Sequence, residues 1–82
     1  MRNAHRHVQK HLGLHNPASP EEAHAAREAV NVTQRQFARI LGVGQEMVEG
    51  WESGVLTPDG VESKVLRLLR REPAWALELA KV

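Results

Sequence analysis

Apolar residues recur at helical spacing through most of the chain, and residues that start or stop helices bound each run. At the first such boundary, Ser19, Pro20 and Glu22 supply an N-cap serine, a proline at the first helical position and a capping glutamate. A helix is therefore predicted from Pro20 to about Val30. Its buried side is predicted to contain Ala23, Ala26 and Val30.

A second and a third helix are predicted on either side of a tight turn. Thr33 and Gln36 form a capping box that starts the second helix. Gly42 follows the last apolar position of that helix, where glycine adopts the left-handed conformation without steric cost. The third helix then begins near Gly44 or Gln45. Two short helices joined in this way can place one helix in the major groove of DNA. The core positions of both helices are predicted to be Phe37, Ala38, Leu41, Val48 and Trp51.

Two further helices are predicted after the third. Asp59 and Glu62 form a possible cap for the fourth, and Pro73 opens a short last helix that contains Trp75. The apolar face of the fourth helix is predicted to contain Val61, Val65, Leu68 and Leu69. Leu66 and Trp75 have no evident core position, so we assign them to a contact with a second copy of the chain. The resulting fold class is all-α, a compact bundle of about five short helices.

The residues around the predicted turn follow a known arrangement. Its motifs are Thr33-Gln34, Phe37-Ala38, Leu41-Gly42-Val43, Val48 and Trp51-Glu52-Ser53-Gly54, then Pro58-Asp59-Gly60, Val65-Leu66-Arg67-Leu68-Leu69 and Pro73. They resemble the Cro/phage-repressor helix-turn-helix family, also called Xre, and most of all its small antitoxin-type regulators. The resemblance covers roughly residues 20–80. It implies a lambda-repressor-like domain that binds operator DNA as a two-fold dimer, with an ion pair between Arg27 and Glu52 beside the turn.

Polar residues outside the predicted core are the candidates for DNA contact. Unpaired amides at a helix start attract phosphate, so the second helix should contact the DNA backbone. The outer surface of the third helix should meet base edges, where a glutamine can pair with adenine and a glutamate can accept a hydrogen bond from cytosine. The predicted phosphate contacts are Thr33, Gln34, Arg35 and Arg39, and the predicted base-edge residues are Gln45, Glu46, Glu49 and Gly50.

The third helix departs from the family pattern in its charge. Recognition helices of the family usually carry small hydroxyl residues and a basic or amide side chain, whereas Glu46, Glu49 and Glu52 are acidic here. Gly50 also lowers helix propensity by about 1 kcal/mol relative to alanine, and one interpretation is that it lets a backbone or a partner approach closely. A second function therefore stays open, a protein-interaction module on a degenerate helix-turn-helix scaffold.

The composition of the chain argues against several other classes of protein. The 82 residues contain no cysteine, which excludes disulfides and thiolate metal sites and fits a reducing cytosol. A chain of this length suits one domain with a modest core that dimerisation would help. No apolar run approaches the roughly 18 residues that a membrane span needs. The N-terminus also lacks a signal-peptide core, so we expect a soluble cytoplasmic protein.

The first 18 residues are predicted to be a flexible basic tail ahead of a DNA-binding domain at residues 19–82. Arg2, Arg6 and Lys10 precede the first acidic residue of the chain. A basic arm before a helix-turn-helix can follow the DNA backbone or enter the minor groove. The alternative is a solvated, inert extension.

We predict no metal, cofactor or catalytic site. His7, His11 and His15 recur at four-residue spacing and could hold zinc or nickel on a helix, but Gly13 and Pro17 argue against a helix there. The serines have no convincing histidine and acid partners, and there is no glycine-rich loop to cradle a phosphate. We therefore do not expect an enzyme.

The sequence thus predicts a sequence-specific DNA-binding transcriptional regulator. We expect an autorepressor of antitoxin type that binds a palindromic operator as a homodimer. Its expected partners are double-stranded DNA, a second copy of the chain and, as a further candidate, a toxin protein.

Overall fold

A computed structural model describes residues 16–82, which form five helices joined by short connections. The helices are α1 (Pro20–Val30), α2 (Gln34–Leu41), α3 (Gln45–Ser53), α4 (Gly60–Arg71) and α5 (Trp75–Lys81). Helix α1 packs mainly against α4 and α3, and α2 packs against α3 and α5. The prediction of an all-α bundle of five helices is confirmed. None of the helices described here is long and apolar enough to cross a membrane.

Capping boxes start three of the helices at the positions that the sequence predicts. The Ser19 hydroxyl accepts a hydrogen bond from the Glu22 amide at 3.1 Å, and the Glu22 carboxylate accepts one from the Ser19 amide at 3.0 Å. The same arrangement is made by Thr33 with Gln36 and by Asp59 with Glu62. Each box gives acceptors to amide groups that lack an intrahelical partner at a helix start.

The turn between α2 and α3 closes at Gly42. This residue has a φ of 76°, in the left-handed region that glycine adopts readily. The amides of Gly42 and Val43 donate to the Ala38 carbonyl at 2.9 Å and 3.0 Å. Val43 then packs against the core as a half-buried side chain. Helix α3 starts at Gln45, as predicted.

The core lies between α1 and the other helices. Its largest fully buried apolar side chains are Trp51, Phe37, Leu66, Leu69 and Val48. Ala23 and Ala26 of α1 are also buried, and small residues let α1 approach its neighbours closely. The predicted core positions of α2 and α3 are therefore confirmed, with Leu41 only partly buried against the cluster.

The buried face of α4 differs from the prediction. Leu66 and Leu69 are 1% and 0% exposed, whereas Val61 is 74% and Leu68 37% exposed. The apolar spacing predicts a buried face that contains Val61 and Leu68. In the structure, Ser63 instead occupies the core position one turn before Leu66. The assignment of Leu66 to a dimer contact is therefore wrong, since its side chain belongs to the core of the monomer.

Residues 16–18 pack onto α4, although the sequence placed them in the flexible tail. Ala18 is 3% exposed, and its amide donates to the buried Ser63 hydroxyl at 2.9 Å. The Arg67 guanidinium donates to the Asn16 carbonyl at 2.7 Å. A buried hydroxyl needs hydrogen-bond partners, and this docked segment supplies one to Ser63.

Gly50 is buried rather than exposed on α3. The amide of Leu56 donates to the Gly50 carbonyl at 3.0 Å, so the connection after α3 folds back over this position. A Cβ at Gly50 would lie 2.5 Å from Cδ1 of Leu56. The predicted outer-surface position of Gly50 is therefore wrong. The close approach that glycine permits is made by a side chain of the same chain.

Gly50→Ala is expected to destabilise the fold by about 1 to 3 kcal/mol, the usual cost of overpacking. The overlap with Leu56 should outweigh the gain in helix propensity, which is about 1 kcal/mol. Adding Leu56→Ala removes the overlapping atoms, so the double variant should be more stable than Gly50→Ala alone. Urea unfolding midpoints test this. Unchanged stability of Gly50→Ala would mean that the connection moves aside at no cost.

Candidate nucleic-acid interface

Helix α2 presents polar side chains to solvent at its N-cap and along one face. Thr33, Arg35 and Arg39 are exposed, and Gln34 is half-buried. Arg35 and Arg39 lie four residues apart and so share one face of the helix. The hydroxyl of Thr33 caps the helix by accepting from the Gln36 amide at 3.1 Å. Of the four residues predicted to contact phosphate, Thr33 and Gln34 thus lie at the N-terminal end of α2, and Arg35 and Arg39 share one exposed face.

The start of α3 presents an acceptor-rich surface. Gln45, Glu46 and Glu49 are exposed, and Nε2 of Gln45 donates to Oε2 of Glu49 at 2.9 Å. The Glu46 side chain folds back against Gly44, where a Cβ would overlap its carboxylate. This puts a negative charge beside the positive end of the helix. Gly50, the fourth residue predicted to meet base edges, is buried under the following connection and does not belong to this surface.

An ion pair joins α1 to the last turn of α3. Nε of Arg27 donates to Oε2 of Glu52 at 2.7 Å, and Nη2 donates to Oε1 at 2.9 Å. Nη1 of Arg27 also donates to the Val32 carbonyl at 3.0 Å. The Arg27 and Glu52 side chains are 18% and 9% exposed. The pair that the family resemblance implies is therefore present, in the bidentate form that gives the strongest hydrogen bonds.

His24 extends this ion pair, and its role was not predicted from the sequence. Its Nδ1 lies 3.0 Å from Glu52 Oε1, and its Nε2 lies 3.2 Å from Glu28 Oε2. The hydrogen bond with Glu52 and the charge of Glu28 raise the pKa of His24. Burial opposes ionisation of Glu52, but hydrogen bonds from Arg27, His24 and Gln34 outweigh it and lower the pKa of this carboxyl. In the sequence, the four-residue spacing of His24 and Glu28 could have indicated their contact.

A second ion pair joins α1 to α4. Nε and Nη2 of Arg67 donate to the Glu22 carboxylate at 3.0 Å and 3.2 Å. These hydrogen bonds, with one from the Ser19 amide, lower the pKa of Glu22 to about 2. Because α1 is held at both ends, it forms a fixed support for α3, whose outer surface faces solvent.

The charge of the chain is divided unevenly. Residues 16–82 carry eight lysines and arginines against ten acidic residues, whereas residues 1–15 carry three basic residues and no acidic ones. The predicted basic arm and the histidines His7, His11 and His15 lie outside the residues that the structure describes. Between residues 16 and 82, no group of three or more possible ligand side chains could hold a metal ion.

Comparisons with known proteins identify the family of this chain. The profile of the helix-turn-helix family matches residues 24–75. The HTH-type transcriptional regulator YiaG of Escherichia coli (strain K12), described as uncharacterized, is 35% identical over 72 residues, which cover 88% of this chain and 75% of YiaG. Antitoxin HigA-2 of Vibrio cholerae serotype O1 is 33% identical over 64 residues, which cover 78% of this chain and 62% of the antitoxin. The chain therefore belongs to the Xre-type helix-turn-helix family of DNA-binding transcriptional regulators.

Proposed function

We propose that this chain is a repressor that inserts α3 into the major groove of its operator while α2 holds the DNA backbone. The observation that carries the proposal is the pairing of two exposed surfaces across the turn at Gly42. One surface holds Arg35 and Arg39, and the other holds Gln45 and Glu49. The free amides at the start of α2 and the two arginines attract phosphate, whereas the polar side chains of α3 meet base edges.

Base recognition in this proposal depends on Gln45 and Glu49. Their hydrogen bond of 2.9 Å holds both side chains in one arrangement before DNA is bound, which lowers the entropy cost of binding. The Glu49 carboxylate is an acceptor for the amino group of cytosine, and the Gln45 amide can pair with adenine. The ion pair of Arg27 and Glu52 supports the far end of the same helix.

We propose that the repressor binds as a homodimer to an inverted repeat. Dimers of this class contact half-sites about one helical turn apart, roughly 34 Å. Val55 and Val61 are 80% and 74% exposed, and both follow α3 in the chain. Next to Val61, an apolar hollow of about 120 Å³ is lined by Leu41, Val43 and Val65. A second copy on this surface would cover exposed apolar area and bring the two α3 helices close together.

The similarity to HigA-2, which is named an antitoxin, supports a more specific role. We propose autorepression of antitoxin type in the cytoplasm, with a toxin protein as a further partner. The alternative is a protein-interaction module that binds a toxin or another protein and contacts DNA weakly. The acidic outer surface of α3, with Glu46 and Glu49 exposed, favours this alternative because acidic groups repel phosphate.

Selection of binding sites from a random duplex pool, repeated over a salt series, tests the proposal. An enriched inverted repeat would support a dimeric repressor, and its binding should weaken by orders of magnitude between low and moderate salt as counterions are released. An apolar protein interface would respond little to salt. If no sequence is enriched even at low salt, the protein-interaction module becomes the better account.

Gln45→Ala is expected to relax the sequence preference at one position of each half-site. The loss of discrimination there should be about 1 to 3 kcal/mol, the value of one good side-chain contact to a base. The same selection with this variant measures it, and Leu77→Ala on α5 is a control with no assigned DNA contact. An unchanged preference at every position would show that α3 is not the reading helix.

A further inference from the structure

Trp75 is the most exposed aromatic side chain of the part that the structure describes. It is 51% exposed, whereas Trp51 and Phe37 are 1% and 0% exposed. Helix α5 is fixed to the core through buried Ala76 and half-buried Leu79. Trp75 is therefore held on the surface by an anchored helix. An indole ring left in solvent keeps a large apolar surface for a partner to cover.

Two carboxylates flank this ring. Glu72 and Glu78 line a shallow hollow of about 220 Å³ together with Ala74 and Trp75. Glu72 is the residue that ends α4, and Glu78 follows Trp75 by three positions and so lies on the same side of α5. The hollow thus combines an aromatic face with negative charge from two helices.

The existing partner of Glu78 is weakly held. Lys81 lies 3.4 Å from the Glu78 carboxylate, and the side chains are 69% and 61% exposed. Exposed pairs of this kind contribute little to stability, because solvent screens their charges. A cation that also contacts the indole can therefore replace Lys81 at little cost.

We propose that Trp75, Glu72 and Glu78 form a docking site for an arginine side chain of a partner protein. A guanidinium is planar and weakly hydrated, so it can stack on the indole while its N–H groups donate to carboxylates. Nucleic acid does not fit this site because its phosphates are repelled by the two carboxylates.

This site is separate from the DNA-binding residues. Its members lie on α5 and at the end of α4, whereas the proposed DNA contacts lie on α2 and α3. The partner is defined by charge complementarity, a basic segment facing an acidic hollow. The docking site can therefore exist whether or not the operator proposal holds, and one test need not decide the other.

Nuclear magnetic resonance of the full chain can test the site directly. The chain has two tryptophans, so two indole N–H signals are expected, and Trp75→Phe identifies the signal of Trp75. The probe is a capped Leu-Arg-Leu peptide, with a second peptide in which uncharged citrulline replaces the arginine. We expect the Trp75 signal to shift saturably with the arginine peptide and the citrulline peptide to bind about tenfold more weakly.

Charge variants give the second test. Glu72→Gln and Glu78→Gln should each weaken peptide binding severalfold, whereas Glu21→Gln, which removes the same charge from an exposed position on α1, should leave it unchanged. Equal binding of both peptides, or a Trp75 signal that does not move, would overturn the proposal. So would a Trp75 signal that shifts when residues 1–15 are deleted with no peptide present, because the chain's own basic residues would then occupy the site.

Discussion

Arg27→Met is expected to lower the free energy of unfolding by about 3 kcal/mol, because it leaves the Glu52 carboxylate without its main partner. Glu52 is 9% exposed and accepts two hydrogen bonds from Arg27, at 2.7 Å and 2.9 Å. Methionine keeps the apolar stem of the side chain, so the loss reports the charge and not the packing. Urea unfolding of the variant and the wild type at neutral pH measures this difference.

Two further variants test whether the loss of stability comes from the unpaired charge of Glu52. Arg27→Met combined with Glu52→Leu removes both charges, and it should be more stable than either single variant because no charge is left unpaired. Lys81→Met breaks the exposed pair with Glu78 and should cost less than about 1 kcal/mol. If Arg27→Met costs no more than Lys81→Met, the pair does not hold α1 to α3.

The stability that Glu52 contributes should also depend on pH in a defined direction. Hydrogen bonds from Arg27 and His24 outweigh burial and lower its pKa in the folded state. A lowered folded-state pKa gives stability that is complete above the unfolded-state value and is lost as pH falls through the folded-state value. The difference between wild type and Glu52→Leu should therefore be largest in weakly acidic solution, where Glu52 and His24 are both charged, and shrink below about pH 4 as Glu52 is protonated.

The helix boundaries could be predicted because their signals are local. Ser19 finds its partner Glu22 three residues away, and Gly42 ends α2 through its own backbone conformation. Such signals need no knowledge of the rest of the fold. The resemblance to the family added the prediction of an ion pair between Arg27 and Glu52, which residue spacing alone could not have identified.

The predictions of burial were wrong at residues where segments distant in the sequence come into contact. Ser63 has the sequence character of a surface residue, yet it is buried because the Ala18 amide reaches it from 45 positions away. Gly50 has the spacing of an exposed position, but Leu56 folds back over it. In both cases the contact that decides burial is made by a connection outside the regular helices, and helical periodicity carries no information about such contacts.

The candidate DNA surface could be predicted from the sequence only in part. Its exposed members on α2 and α3 follow from helical geometry once the turn is placed. Their roles in DNA binding depend on the balance of charge. This balance is unusual for a DNA-binding domain, since residues 16–82 carry more acidic than basic residues. With so few cations available, each arginine on this surface should carry a large share of the affinity.

Combining Arg35→Ala with Arg39→Ala is therefore expected to weaken binding to every DNA sequence about a hundredfold, roughly tenfold for each charged interaction with phosphate. Phosphate contacts carry no base information, so the preferred sequence should stay the same. The slope of log affinity against log salt should become shallower by about 0.9 for each phosphate that an arginine no longer neutralises. Fluorescence anisotropy with the selected operator and with an unrelated duplex measures all three quantities.

The matched control removes two arginines from the last turn of α4, Arg70→Ala with Arg71→Ala. It changes the net charge by the same amount on a helix that packs mainly against α1. General attraction between protein and DNA would make the two double variants equally weak, with equal changes in the salt slope. Direct phosphate contacts from α2 require a much larger loss of affinity for Arg35 and Arg39, because a screened charge about 10 Å or more from the backbone contributes little. Equal losses of affinity would contradict the assignment of α2 to the DNA backbone.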